Sequence, residues 1–129
     1  MKIKTHENID RSLCGEPVAV EEGTSRVRLE CIQCMEADAS GLIHGGFIFG
    51  LADYAAMLAV NHPNVVLGAA ETRFLKPSRV GDVLVAEARD QTPQERKHLV
   101  QVEVSCGADV VFTGTFTCFV TKEHVLAGG

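Results

Sequence analysis

The 129-residue sequence lacks several features that mark particular classes of protein. It has no run of Lys or Arg, and 12 basic residues against 17 acidic ones give a formal net charge of −5 at pH 7. This argues against a nucleic-acid partner, because such a surface needs clustered positive charge. The N-terminus has no apolar stretch that would predict a signal peptide. Repeats, low-complexity runs and linkers are also missing, so we expect one domain over residues 1–129.

The cysteines form no recognisable disulfide or metal framework. Their number is odd and they are scattered over apolar segments: Cys14, Cys31, Cys34, Cys106 and Cys118. Without an export signal, this predicts reduced thiols in a cytoplasmic protein. Cys31 and Cys34 form a single CxxC pair in a predicted strand, where residues three apart face opposite ways. No cluster of His, Cys and carboxylates has metal-ligand spacing, so we predict no metal site.

The most distinctive stretch is 41–61, GLIHGGFIFGLADYAAMLAVN. Between Phe47 and Val60 the only charged residue is Asp53, and apolar or small residues occupy every face of the predicted helix. A helix that is apolar all round is normally buried. At about 14 residues it is too short to span a membrane, so we expect no membrane partner. Pro63 ends it, because proline disfavours helical geometry in the preceding residue.

Asp53 and the glycines before the helix form the candidate site. Burying an unpaired carboxylate costs several kcal/mol, so Asp53 must find partners, shift its pKa or face a cleft. Upstream, His44, Gly45 and Gly46 lie where the helix begins. Two glycines let the backbone approach a ligand closely, and the free amides of a first helical turn carry positive partial charge. This combination indicates an anion or oxyanion site.

The rest of the chain alternates between apolar and polar residues, as strands do. We predict strands near 17–22, 25–35, 64–77, 82–91, 97–106 and 110–122. One helix that is apolar on every face must then be wrapped by a curved antiparallel sheet, which is an α+β fold. Such a sheet leaves edges and one uncovered face, so we expect it to pair with a second copy as a homodimer or larger homo-oligomer. Residues 1–15 are polar and are expected to be loosely ordered around one short helix.

Two segments, HGGFIFGLADYAAMLAVN at 44–61 and ETRFLKPSRVGDVLVAEAR at 71–89, resemble the hotdog-fold acyl-CoA thioesterases of the phenylacetate-degradation (PaaI-like) type. The resemblance extends from Asp38 to the last strand. It implies a hotdog fold, in which dimers with one continuous sheet assemble into a homotetramer. It also implies hydrolysis of an acyl-CoA at the dimer interface, with coenzyme A as part of the substrate and not as a cofactor.

The same resemblance implies roles for the site residues. The backbone N–H of Gly45 or Gly46 would polarise the thioester carbonyl, and Asp53 would be the general base or nucleophile. Many relatives have asparagine where this chain has Asp38, with Ser40 nearby, so the role of that position stays open. His44 either transfers protons or only fixes the loop. Asp53 itself could instead be a structural acid that is bonded to a strand amide or an arginine such as Arg73.

Substrate-binding candidates follow the helix. Glu71, Thr72 and Arg73 begin a strand beside it and could line the pocket of a partner chain. Lys76 and Arg79 are candidates for the nucleotide phosphates of coenzyme A. Each of these five is also compatible with an ordinary solvated residue.

Two other functions fit the same residues. A hotdog-fold hydratase or dehydratase acts on acyl thioesters with an acid and a histidine, and Asp38 and His44 lie six residues apart. A non-catalytic module that binds acyl-CoA is the other possibility. The acidic residue in the helix, together with the His-Gly-Gly sequence before it, favours hydrolysis over both of these alternatives.

Overall fold

The computed structural model describes residues 1–127, so Gly128 and Gly129 of the predicted domain lie outside the described residues. Its elements are α1 (Arg11–Cys14), β1 (Glu16–Glu21), β2 (Thr24–Glu30), a 3₁₀ turn (Gln33–Met35), α2 (Gly45–Val60), β3 (Val65–Phe74), β4 (Val83–Asp90), β5 (Lys97–Cys106) and β6 (Asp109–Val120). Among these helices none is long and apolar enough to cross a membrane.

The six strands form one antiparallel sheet in the order β1-β2-β4-β5-β6-β3. The chain leaves β2, passes through α2, and returns at the far edge as β3. Helix α2 packs on one face of the sheet, mainly against β2, β4 and β5. One long helix against a six-stranded antiparallel sheet confirms the predicted α+β, hotdog fold.

Helix α2 is held close to the sheet by its small side chains. Its buried residues are Ile48, Leu51, Ala52, Tyr54, Ala55, Ala56, Met57, Leu58 and Ala59. The alanines let the helix approach the sheet, and Leu84, Val100 and Phe116 fill the space beneath it. Asn61 ends the helix in the left-handed conformation at φ 51°, and its backbone N–H donates to the Met57 carbonyl at 2.8 Å. Asparagine is one of the few residues that tolerate this conformation.

The N-terminal strap, residues 1–15, differs from the expected loose segment. The Asn61 side chain holds it twice, since Nδ2 donates to the Lys2 carbonyl at 2.9 Å and Oδ1 accepts from the Lys4 N–H at 2.8 Å. Three apolar residues of the strap, Ile3, Ile9 and Leu13, pack against the core. The short helix expected in this segment is present as α1. The strap is polar overall, so its composition did not predict that these three separate apolar residues would anchor it to the core.

Two details of the strands correct the sequence analysis. The sequence predicts Phe112, Phe116 and Phe119 as one core stripe, but Phe119 is 38% exposed on the opposite face, because residues three apart on a strand point to opposite sides. The strand predicted to reach residue 35 ends at Glu30. Cys34 consequently lies exposed on the 3₁₀ turn.

Candidate active site

Asp53 lies on the one face of α2 that the chain leaves partly open. The partly exposed or exposed residues of this face are Gly46, Phe49, Gly50, Asp53 and Val60. Their spacing of three, one, three and seven residues puts them on one side of a helix. The Phe49 ring packs toward the sheet, 5.4 Å between centroids from the Phe116 ring of β6. Asp53 therefore lies on the partly exposed face of α2, one turn beyond Phe49.

The Asp53 carboxylate has no partner within the described part of the chain. Its Oδ1 atom is buried and makes no hydrogen bond with residues 1–127. Burial raises the pKa of Asp53 to about 6, because the charged form loses solvation. Arg73, the arginine considered as its structural partner, instead borders a groove on the helix-free face of the sheet with Gln101 and Thr115. A structural acid would need such a partner, and residues 1–127 provide none.

The first turn of α2 presents free amides. His44 is the N-cap residue, with φ −61° and ψ 130°, and its side chain makes no capping hydrogen bond. Its N–H donates to the Met35 carbonyl at 2.9 Å, and its own carbonyl accepts from the Phe47 N–H at 3.1 Å. The N–H groups of Gly45 and Gly46 come before the first intrahelical donor, so they carry the positive end of the helix dipole.

Both glycines lie against aromatic rings. A Cβ atom on Gly45 would lie 3.2 Å from Phe74 Cε2, and one on Gly46 would lie 3.0 Å from His44 Nε2. Any side chain at either position would push a ring away. Phe74 is 54% exposed and packs edge-on against Phe112, with 5.0 Å between centroids. Phe74 was not among the predicted site residues, and its only signal in the sequence is its place at the end of the segment ETRF at 71–74.

The loop before the helix is internally bonded. The Asp38 carboxylate accepts hydrogen bonds from the N–H and the hydroxyl of Ser40, and these bonds lower the pKa of Asp38. Both residues are exposed. The loop then docks on the turn after β3, where the Ile43 N–H donates to the Ser78 carbonyl at 2.9 Å. Asp38 and Ser40 therefore stabilise the turn that leads to His44.

The three predicted substrate-binding residues of β3 divide between two faces. Thr72 is opposite Gly114 of β6, on the same side of the sheet as α2. Glu71 and Arg73 are on the helix-free side, since neighbouring residues of a strand alternate. Of the three, only Thr72 lies on the face of the sheet that α2, and with it Asp53, covers.

The two predicted phosphate-binding residues lie just beyond β3. Lys76 Nζ forms an exposed ion pair with Asp109 Oδ1 at 3.0 Å. Arg79 is exposed, and its backbone N–H donates to Asp82 Oδ2 at 2.9 Å. An exposed pair of this kind is weak, so Lys76 can exchange its partner for an anion at small cost.

Comparison with known proteins identifies several similar chains. Residues 40–113 match the family model described as thioesterase superfamily, which is more than half of the chain. The crystal structure of the uncharacterized protein PH1136 from Pyrococcus horikoshii is 51% identical, with a TM-score of 0.96 over 98% of this chain and 97% of that one. The crystal structure of smu.793 from Streptococcus mutans UA159, bound to acetyl CoA, is 28% identical, with a TM-score of 0.80 over 92% of this chain and 97% of that one.

One curated relative is much longer than this chain. Methylthioribose-1-phosphate isomerase from Aquifex aeolicus (strain VF5) is 52% identical over 116 residues, which are 90% of this chain and 25% of that protein. The chain therefore spans a quarter of the relative's length, and the isomerase name is no guide to the activity of this segment.

Proposed function

Because the chain belongs to the thioesterase superfamily, we propose that it hydrolyses an acyl-CoA to a carboxylic acid and free coenzyme A. The observation that carries the proposal is the unpartnered carboxylate of Asp53, with its Oδ1 atom buried, on the same helix whose first turn presents free amides. The binding of acetyl CoA by the similar smu.793 supports a coenzyme A thioester as the ligand.

The proposed reaction uses a base and an oxyanion site. Asp53, with a pKa of about 6, is mostly ionised at pH 7 and is a stronger base than an exposed aspartate. It takes a proton from water as the water oxygen bonds to the thioester carbon. The carbonyl oxygen becomes negative, and the N–H of Gly45 or Gly46 donates to it. Removing one donor of this type typically costs about 2.7–4 kcal/mol of barrier. The C–S bond then breaks, and the leaving thiolate takes the proton from Asp53.

The site is proposed to combine two subunits. Successive residues of a helix rise by 1.5 Å, so Gly46 and Asp53 of one chain are about 10 Å apart along the axis. A carbonyl that is bonded to Gly46 does not touch Asp53 of the same chain directly. A homodimer places the glycine loop of one copy beside the Asp53 of the other, and a homotetramer is two such dimers.

Strand β3 is the edge through which the copies would join. It ends the sheet, has ten residues and contains no proline. The opposite edge, β1, has six residues and contains Pro17, and both features discourage pairing. Pairing of two β3 strands would therefore extend the sheet of one copy into that of the other.

The test is thiol release from a panel of acyl-CoAs of varied chain length and aromaticity. Asp53→Asn is expected to lower kcat by about 100-fold or more, the range in which general-base catalysis contributes. Glu103→Gln makes the same chemical change on the exposed helix-free face and is expected to keep wild-type turnover. Hydrolysis at the wild-type rate in Asp53→Asn would remove Asp53 from the mechanism.

The two alternatives give different results with the same panel. A hydratase would consume an enoyl thioester without releasing thiol, and its proposed base, Asp38, has a lowered pKa that makes it a weaker base. A binding module would bind acyl-CoA tightly and release thiol from none of the panel.

A further inference from the structure

Gly50 occupies a place in α2 where the fold of one chain does not need a glycine. It lies inside the helix, three residues before Asp53, where glycine is less favourable than alanine. A Cβ atom built on Gly50 would meet nothing within 4 Å. An alanine would therefore fit the isolated chain and make the helix more stable.

Other glycines of this chain have clear structural causes. A Cβ on Gly15 would lie 2.6 Å from Val27 Cγ1, and one on Gly114 would lie 2.9 Å from Phe116 Cε1. Gly81 has a positive φ of 95°, which L side chains rarely adopt. Gly50 has neither a close neighbour nor a positive φ. We infer that its bare backbone is matched to something that approaches from outside the chain.

The neighbours of Gly50 indicate what approaches. Residues three apart on a helix are side by side, about 5–6 Å between Cβ positions, so Gly50 adjoins Asp53. Helical side chains also lean toward the N-terminus, which carries the Asp53 carboxylate toward the turn of Gly50. Phe49 borders the same open face and packs on Phe116. A flat group that lies on Gly50 therefore contacts the unpartnered Asp53 carboxylate.

We propose that Gly50 is a positioning residue that admits the planar thioester group to the Asp53 carboxylate. This inference rests on the proposed function and adds a steric rule to it. Any side chain at position 50 lifts the thioester carbon away from the base without changing the base itself. Gly50→Ala should consequently change stability and activity in opposite directions, whereas a purely structural glycine would lose both together.

The test compares Gly50→Ala and Gly50→Val with Val60→Ile, which adds bulk on the same open face two turns beyond Asp53. Gly50→Ala is expected to raise the melting temperature by about 2–5 °C, because alanine favours the helix. It is expected to lower kcat/KM for the best acyl-CoA of the panel by about 10-fold, and Gly50→Val by about 100-fold, since a displacement of one ångström can cost that much. Val60→Ile should keep wild-type kinetics.

Each remaining outcome separates this inference from the proposed function. Wild-type kcat/KM in both Gly50 variants would overturn the inference and leave hydrolysis intact.

If the wild type releases no thiol, hydrolysis fails, and calorimetric titration with acetyl-CoA decides the inference. Loss of binding in Gly50→Val would then support it, and equal binding, or no binding to the wild type, would overturn it. A Gly50→Val protein that becomes monomeric in light scattering, while Val60→Ile keeps the wild-type mass, would show that Gly50 meets a second copy and would also overturn it.

Discussion

At the scale of single residues, Asp53 is the place where stability and the proposed chemistry oppose each other. Its pKa is raised from the usual value of 3.8 to about 6 by burial. The folded state therefore holds a proton at pH values where the unfolded chain has lost it. The contribution of Asp53 to stability is most favourable below about pH 4 and is lost as the pH rises through 6. At neutral pH the ionised carboxylate is a cost to the fold.

Asp53→Asn is therefore expected to stabilise the protein at pH 8. The raised pKa corresponds to a gain of at most about 3 kcal/mol in the free energy of unfolding, at 1.36 kcal/mol per pKa unit. At pH 4 the gain should vanish, because Asp53 is then neutral in the folded state. Urea denaturation at pH 4 and pH 8 measures this change in the free energy of unfolding. Glu103→Gln is the control, and it should show no such gain. A loss of stability at pH 8 would indicate an ionic partner for Asp53.

A partly buried charge at Asp53 was predictable from the sequence, but its surroundings were not. Asp53 is conspicuous because no other charge lies between Phe47 and Val60. The contact between Phe74 and Gly45 depends on how β3 pairs with β6, which no local pattern reveals. The separation of Thr72 from Arg73 likewise required knowing which face of β3 meets the helix.

At the scale of elements, the strap and α2 stabilise one another through Asn61. This residue ends the helix in a left-handed conformation and bonds both Lys2 and Lys4. The helix end was predictable, because asparagine before His-Pro is typical of a C-cap. The docking of the strap was not predictable, because the amide side chain that holds it lies 57 and 59 residues away in sequence from the two residues it bonds.

Two substitutions at Asn61 separate its two roles. Asn61→Gly keeps the left-handed backbone accessible and removes only the side-chain bonds, whereas Asn61→Ala also strains the backbone. We expect Asn61→Ala to be less stable than Asn61→Gly by about 1 kcal/mol. Both should speed hydrogen exchange at the Lys4 amide. Wild-type exchange at that amide in Asn61→Gly would mean that the strap is held by its apolar anchors alone.

At the scale of the whole molecule, the strand order leaves β3 at an edge beside the proposed site. The order β1-β2-β4-β5-β6-β3 is not sequential, so the position of β3 could not be read from periodicity. The fold class was predictable because one helix that is apolar on every face needs a sheet to cover it.

Subunit mixing tests whether two copies share each site. Asp53→Asn and Gly45→Val are each expected to be inactive, the second because its side chain would meet the Phe74 ring. Random exchange of subunits in an equal mixture gives half mixed dimers, each with one intact site, so about a quarter of wild-type activity should return. If no activity returns although light scattering and differential labelling show exchange, the glycine and the acid act within one chain.

The most direct test of the central claim is kcat/KM for an acyl-CoA as a function of pH, followed by the loss of thioester. With Asp53 as the base, kcat/KM should rise with pH, with a midpoint near the pKa of about 6, and level off above it. Asp53→Asn should be slow and lack this midpoint. A wild-type profile without a midpoint near 6, or the same midpoint retained in Asp53→Asn, would contradict the assignment of Asp53 as the general base.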